Sequence, residues 1–538
     1  NLVSLAANRW LRDRPPKGQP FFVWLHYFDP HGPKNPPEPH RSLSPDPYDA
    51  EISFADEQLG QVIRELEQQG LNESTLIVFT ADHGEGLLDH GEPTHALLIF
   101  DTTVRIPLIF RIPGGAGGIE DDRLASLVDV MPSVLDLLNL ETSSEQQGYS
   151  LFLPPAEQPQ HRTVYMESMV GRLQHGWSTL RGLRDESHKL IYGSVPKLFR
   201  IDQDPDEVVD LSRQEPELLS EMERKLARWL EQHRSDDTVD AVAVPDQEAI
   251  RKLQSLGYLV TGGSAVEPIA DKLGAEGADP HQVRHLFDLF GEAIESVRSG
   301  DVLHGISQLE EIVQEDPDNL AVLNYLAVNY NQNGQLEKAR ELLEHSIELD
   351  PNQEEAHYQL CRALFAAGDL LGAKGHAEAI LEFQPSSIVA LNELGRILAS
   401  LGDEVGAIEH YELALDLDPT SLQPLMGLGV LHAKQGRHFQ AGAFLQRALA
   451  VEPGNPEVLF NIGVWHLQAD DRKAAIRTLS QLASISPQDR DAHFILGQLL
   501  AESGSDSRAR PILKRALALN AASPDRVRQI QAYLERLR

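Results

Sequence analysis

The chain has 538 residues, enough for two or more domains of about 100–200 residues each. Hydrophobic residues make up 41 %, too many for a disordered chain, yet no run approaches the roughly 18 uninterrupted apolar residues of a membrane helix. Against 47 basic residues stand 82 acidic ones, a formal net charge of −35. Such a surface repels nucleic acid and anionic lipid, so no nucleic-acid partner is expected, and a site for an anion must create its own positive patch.

The first residues carry no basic stretch followed by an apolar core, so no signal peptide is read there. With Asn1 in place of an initiator Met, the natural start is expected upstream. A helical pattern at 2–11 is followed by an apolar β-rich run at 21–25, and a second helical pattern at 50–69 by a run at 75–80. Further β-rich runs lie at 106–112 and 163–166, with helical patterns at 124–138 and 215–232. Buried strands alternating with helices predict a mainly parallel sheet covered on both faces. Residues 179–209 read as a small antiparallel appendage. Residues 261–285, rich at first in Gly, Ala and acidic side chains, read as a linker after an α/β domain spanning 1–260.

From there the pattern is periodic. Pro317, Pro351, Pro385, Pro419, Pro453 and Pro487 are spaced by 34 residues. A small residue recurs with the same spacing at Ala339, Ala373, Ala407, Ala441, Ala475 and Ala509, where two helices of a hairpin can approach closely. This period, with Leu-Gly pairs such as Leu394-Gly395 and Leu428-Gly429, is the signature of tetratricopeptide (TPR) repeats, an all-α solenoid. About seven units are expected over 286–523, with a capping helix at 524–538. Such arrays present a groove for a protein or peptide partner, and Asn324, Tyr325, Asn331, Asn392 and Asn461 are candidates to line it. The single cysteine, Cys361, excludes an intrachain disulfide and lies in a repeat helix, where a packing role is expected.

Chemistry concentrates in the first part. The run from Thr75 ends in Asp82-His83-Gly84-Glu85, and ligands of open α/β sheets sit at the carboxyl ends of strands. A carboxylate beside an imidazole can reach one cation there, although an N-capping turn would look the same. Upstream, the apolar run from Phe21 leads into His26 and then His31-Gly32-Pro33. Downstream, His90 and His95 precede a further apolar run. Shared placement after apolar strands makes one joint site the better explanation.

Residues 21–107 resemble the central part of the sulfatase family, within the alkaline phosphatase superfamily. The similarity continues through Asp129 and Pro132, Gly148-Tyr149-Ser150-Leu151, the pair of segments at 183–192 and 197–207, and 253–258. The resemblance implies an α/β sheet sandwiched by helices, here incomplete, and a metal-dependent sulfuric ester hydrolase. It makes Asp82 and His83 metal ligands, His31 the proton donor to the leaving oxygen, His95 a ligand of a sulfate oxygen, and His26 a further catalytic candidate. The implied cation is divalent and in most members calcium, while an imidazole ligand leaves manganese or zinc open. The family's formylglycine nucleophile arises in a C/S-x-P-x-R motif that does not occur here, so this chain alone is not expected to turn over a sulfate ester. The resemblance also implies a periplasmic, extracellular or membrane-anchored setting. Two other readings stay open: a phosphodiesterase or phosphoethanolamine transferase of the same superfamily, and a TPR scaffold without activity.

Overall fold

The computed structural model describes residues 2–13, 19–32, 34–115, 117–141, 147–154, 156–159, 161–233 and 276–537. Pro33, the 253–258 segment and most of the expected linker lie outside the described residues.

Helix α1 (Leu2–Asp13) packs against α3 (Pro47–Gln68), with the short α2 (His40–Leu43) between them in sequence. Asp46 caps α3 by accepting from the Tyr48 amide, and Pro47 opens the first turn with its backbone angle already helical. Ala7 and Leu11 of α1 meet Val62 and Leu66 of α3, and Phe21 and Leu25 pack onto that cluster. The 21–25 run joins no sheet among the described residues, contrary to expectation. Phe21 and Leu25 lean on the two helices, while Phe22, Val23 and Trp24 stay exposed.

Strands β1 (Ile77–Thr80) and β2 (Leu108–Arg111) pair antiparallel, with Phe79 opposite Ile109. The expectation of a parallel arrangement is corrected here. Parallel neighbours need a crossover, usually a full helix, and the α-helix between these strands, α4 (Asp101–Val104), has only four residues. Helix α5 (Val130–Leu137) follows a turn closed by Ser126 and Asp129, each side chain capping the other's backbone. Strands β3 (Val164–Ser168), β4 (Leu180–Arg184), β5 (His188–Tyr192) and β6 (Lys197–Arg200) lie side by side in chain order, with α6 (Val170–His175) between β3 and β4. Asp185 makes the reversal from β4 to β5, its carboxylate accepting from the Ser187 and His188 amides. Helix α7 (Pro216–Gln232) buries Met222 and Leu226.

The repeat array runs as seven helix pairs, from Pro280–Arg298 with Val302–Glu315 to Arg490–Glu502 with Asp506–Leu519, followed by Pro524–Arg536. Its first helix begins at Pro280, inside the expected linker, because Asp279 caps it by accepting from the His281 amide. The recurring alanines Ala339, Ala373, Ala407, Ala441, Ala475 and Ala509 have no exposed surface, as close helix approach demands. A left-handed residue turns each first helix into the second: Gly300, Gly334, Gly368, Gly402, Gly436, Asp470 and Gly504. Only at Asp470 does a side chain occupy that conformation, with φ 58°. Cys361 is buried and free, its thiol pushed up to about 12 by burial, which suits packing and not nucleophilic attack.

The chain divides into two compact units. The first comprises Asn1–Met166, Leu183–Lys189 and Leu198–Leu211, and the second Glu167–Gly182, Leu190–Lys197 and Ser212–Arg538. Within the second, the end of α6 docks on the array. His175 Nδ1 lies 2.9 Å from Asn319 Oδ1, and Trp177 Nε1 donates to Asp316 Oδ2 at 2.6 Å. The two rings stack at 4.4 Å, with the edges of Phe287 and Phe290 against His175. No helix among the described residues is long and apolar enough to cross a membrane.

Candidate functional site

The Asp-His-Gly turn follows β1 and is held from behind. The Gly84 amide donates to Thr103 O at 2.8 Å, and a Cβ at Gly84 would collide with Thr102 O, so only glycine lets the turn close on α4. The Gly86 amide donates to Thr94 O at 2.5 Å, which draws the loop carrying His95 back onto the turn. Glu92 is buried in that loop and accepts from the Leu97 amide at 2.9 Å. Leu87, Leu88, His90 and Ala96 all adopt positive φ without being glycine. Local strain of that kind persists where surrounding structure enforces it, and it gathers at functional sites.

These constraints bring three histidines together. The rings of His83 and His95 stack at 4.0 Å, and His31 meets His95 edge-on at 5.3 Å. His83 Nδ1 lies 2.9 Å from Gly84 O and His31 Nδ1 lies 2.8 Å from Gly32 O, so Nδ1 of each ring carries a proton and donates it to that carbonyl, leaving Nε2 as the nitrogen turned elsewhere. Asp82 Oδ2 is 3.8 Å from His83 Nε2. Burial lowers the His95 pKa; the neighbouring His83 and His31 push it the same way and Glu85 opposes them. His95 therefore enters neutral pH as an uncharged imidazole.

Two of the sequence candidates do not join this group. His26 lies exposed on the 21–25 segment's continuation, and no contact links it to the cluster among the described residues. His90 stacks on Phe100 at 3.6 Å and approaches Asp206 O at 3.1 Å. Two residues that sequence reasoning passed over do join it. Glu85 has a side chain only 6 % exposed, with Oε1 3.7 Å from His95 Nδ1 and Oε2 3.7 Å from Lys34 Nζ. Each directly follows a motif, Glu85 after Asp-His-Gly and Lys34 after His-Gly-Pro, which was the signal available for finding them.

Asp82 and His83 offer donors near enough to share one cation. Among the described residues, however, no three His, Cys, Asp or Glu side chains gather so as to hold a metal ion. The pair can supply two ligands and no complete shell. In the array, Asn324 is buried with its amide on Gln353 of the next repeat at 3.2 Å, and Asn461 touches Met426. Both are engaged in packing between repeats.

The sulfatase family matches residues 3–140, and tetratricopeptide repeats match 297–364, 333–394, 398–460 and 466–534. This chain joins a sulfatase-family segment to TPR repeats. The sulfatase segment is similar to arylsulfatase K of Homo sapiens, 29 % identical over 195 residues, covering 33 % of this chain and 35 % of that protein. Arylsulfatase K of Gallus gallus is 30 % identical over 190 residues, with the same two shares. The chain thus spans about a third of the length of the curated relatives it matches. Among solved structures, the sulfatase-like protein yidJ of Bacteroides fragilis is 20 % identical with a TM-score of 0.38, covering 43 % of this chain and 58 % of that one. A tetratricopeptide repeat protein of Parabacteroides merdae is 14 % identical with a TM-score of 0.40, covering 47 % of this chain and 99 % of that one.

Proposed function

We propose that the sulfatase segment supplies the anion-binding and proton-transfer half of a sulfuric ester hydrolase site, and that the TPR repeats hold a protein or peptide partner. The observation that carries the first part is the three-ring contact of His31, His83 and His95 beside Asp82. A sulfate monoester needs its charged oxygens neutralised and its departing alcohol protonated. His31 Nδ1 donates a hydrogen bond to Gly32 O, so Nε2 is the nitrogen left to take up a proton and hand it to the leaving oxygen. His95, stacked on His83 and half-withdrawn from solvent, can hydrogen-bond a sulfuryl oxygen.

Asp82 and His83 would be this chain's ligands to a divalent cation, the carboxylate suiting calcium and the imidazole manganese or zinc. Such an ion would neutralise a sulfuryl oxygen and offset the two carboxylates, Asp82 and Glu85, that otherwise outnumber Lys34. No step is assigned to a formylglycine, since its motif does not occur in this sequence.

The reading is tested by offering the full chain para-nitrophenyl sulfate and, separately, bis-para-nitrophenyl phosphate. Binding of the sulfate without turnover is expected, weakened by His31→Ala and by His95→Ala. Equal binding by the variants removes the cluster from the reading. Turnover by this chain shows that its own residues include the nucleophile. Preference for the phosphate diester favours the phosphodiesterase type.

A further inference from the structure

We propose that Lys34 is a substrate-anion ligand of this site, its ammonium held ready by Glu85 and by the ring of Tyr48. The inference rests on the sulfate-ester reading above and adds to it a residue that neither motif contains.

The cluster is short of permanent positive charge. His31 and His83 spend Nδ1 on neighbouring carbonyls, and His95 faces the Glu85 carboxylate. Lys34 brings the cluster an ammonium, a group with three donors and no acceptor. Two features fix where that charge sits. The ammonium stands 4.8 Å from the centroid of the Tyr48 ring, a cation–π distance. It also faces Glu85 Oε2 at 3.7 Å, while the other oxygen of the same carboxylate faces His95. Lys34 and His95 therefore flank one buried carboxylate.

The contact with Glu85 is too long to be a hydrogen bond, and no hydrogen bond from Lys34 Nζ occurs among the described residues. An ammonium carries three donors. Here the stem is placed, the side chain is 23 % exposed, and the donors remain uncommitted. A lysine serving only to neutralise Glu85 would close that pair. Glu85 Oε1 and His95 Nδ1 show the same condition from the other side: both are buried, and neither has a hydrogen-bond partner among the described residues. The row Lys34, Glu85, His95 is oriented but unclosed, as suits groups that complete their bonds on an arriving oxyanion.

The test is titration of the full chain with para-nitrophenyl sulfate, with and without calcium chloride, followed by imidazole and amide chemical shifts. Losing one charge-assisted contact in Lys34→Met is expected to weaken binding by about tenfold or more. The salt dependence of binding should flatten, and the melting temperature should stay that of the parent. Lys34→Arg is expected to recover most of the affinity. If the parent binds and Lys34→Met binds equally well, the assignment of Lys34 is overturned while the sulfate-ester reading stands. If the parent does not bind under either condition, the reading itself fails and the assignment with it. A lowered melting temperature in both variants, with affinity and salt dependence unchanged, makes Lys34 a structural residue and also overturns the assignment.

Discussion

Lys189 Nζ lies 2.8 Å from Asp101 Oδ1 with no part of the lysine side chain exposed. Glu207 Oε1 closes on the same ammonium at 2.7 Å, Arg184 pairs with the other oxygen of Asp101, and the Asp101 amide donates to Glu207. Burial alone would push the Asp101 carboxyl up, but Lys189 and Arg184 outweigh it and hold the group below its usual range, whereas burial leaves Glu207 raised. Asp101 opens α4, whose Thr103 carbonyl receives the Gly84 amide, so this network supports the turn that carries Asp82 and His83.

Lys189→Met should therefore cost about 3–5 kcal/mol, because it strands two buried carboxylates. Amide exchange at Leu97 to Asp101 is the measurement: protection there is expected to collapse. A loss below about 1 kcal/mol would mean that water already reaches the pair.

Gly84→Ala tests the other end of the same support. The new methyl cannot share space with the Thr102 carbonyl, and a cost of about 1–3 kcal/mol is expected as the turn moves off α4. Binding of para-nitrophenyl sulfate should weaken in parallel. Wild-type affinity in this variant would show that the site does not depend on the turn's position.

The contact of α6 with the array predicts a pH dependence. Burial pulls His175 down to about 4, with the Asn319 contact opposing more weakly. The folded state thus prefers neutral imidazole and the unfolded chain takes up the proton first. This contribution is complete above about pH 6.5 and drains as pH falls toward about 4, by up to about 3 kcal/mol. Urea unfolding of the parent should lose midpoint between about pH 7.5 and about pH 4.5, and His175→Phe should lose less over that window. Equal slopes for the two proteins would contradict the assignment.

Asp470 offers a stabilising change. Six of the seven turn positions between paired helices hold glycine in the left-handed region, and Asp470 holds it at φ 58° with a side chain. Asp470→Gly should raise stability by about 0.5–1 kcal/mol, read as a higher melting temperature of the array. A decrease would show that its long contact with Arg472, at 4.0 Å, matters more than the strain.

Much of this was legible before any coordinates. The 34-residue spacing of prolines and alanines is a one-dimensional signal, because each repeat makes the same local contacts. Asp82, His83 and His31 could be named because each follows an apolar run, and His95 because it precedes one. The pairing of β1 with β2 could not be read, since direction depends on how the intervening chain returns and not on strand composition. Phe21 to Leu25 has a strand's residues, yet its inward side chains found helices instead of a neighbouring strand. Lys34 and Glu85 escaped notice because their approach is made by two loops distant in sequence, and an isolated acid or base reads as solvated surface.

The repeat geometry has one more consequence. Every helix pair closes over the same small residues and leans on the next pair, and the left-handed turn returns at the same interval. Duplicating or deleting one whole 34-residue module would restore all neighbouring contacts, whereas a partial excision would set unlike helix faces together. Length is accordingly the property this half of the chain can alter most freely over generations, and its reach toward a partner could be retuned in discrete steps without rewriting any surviving module.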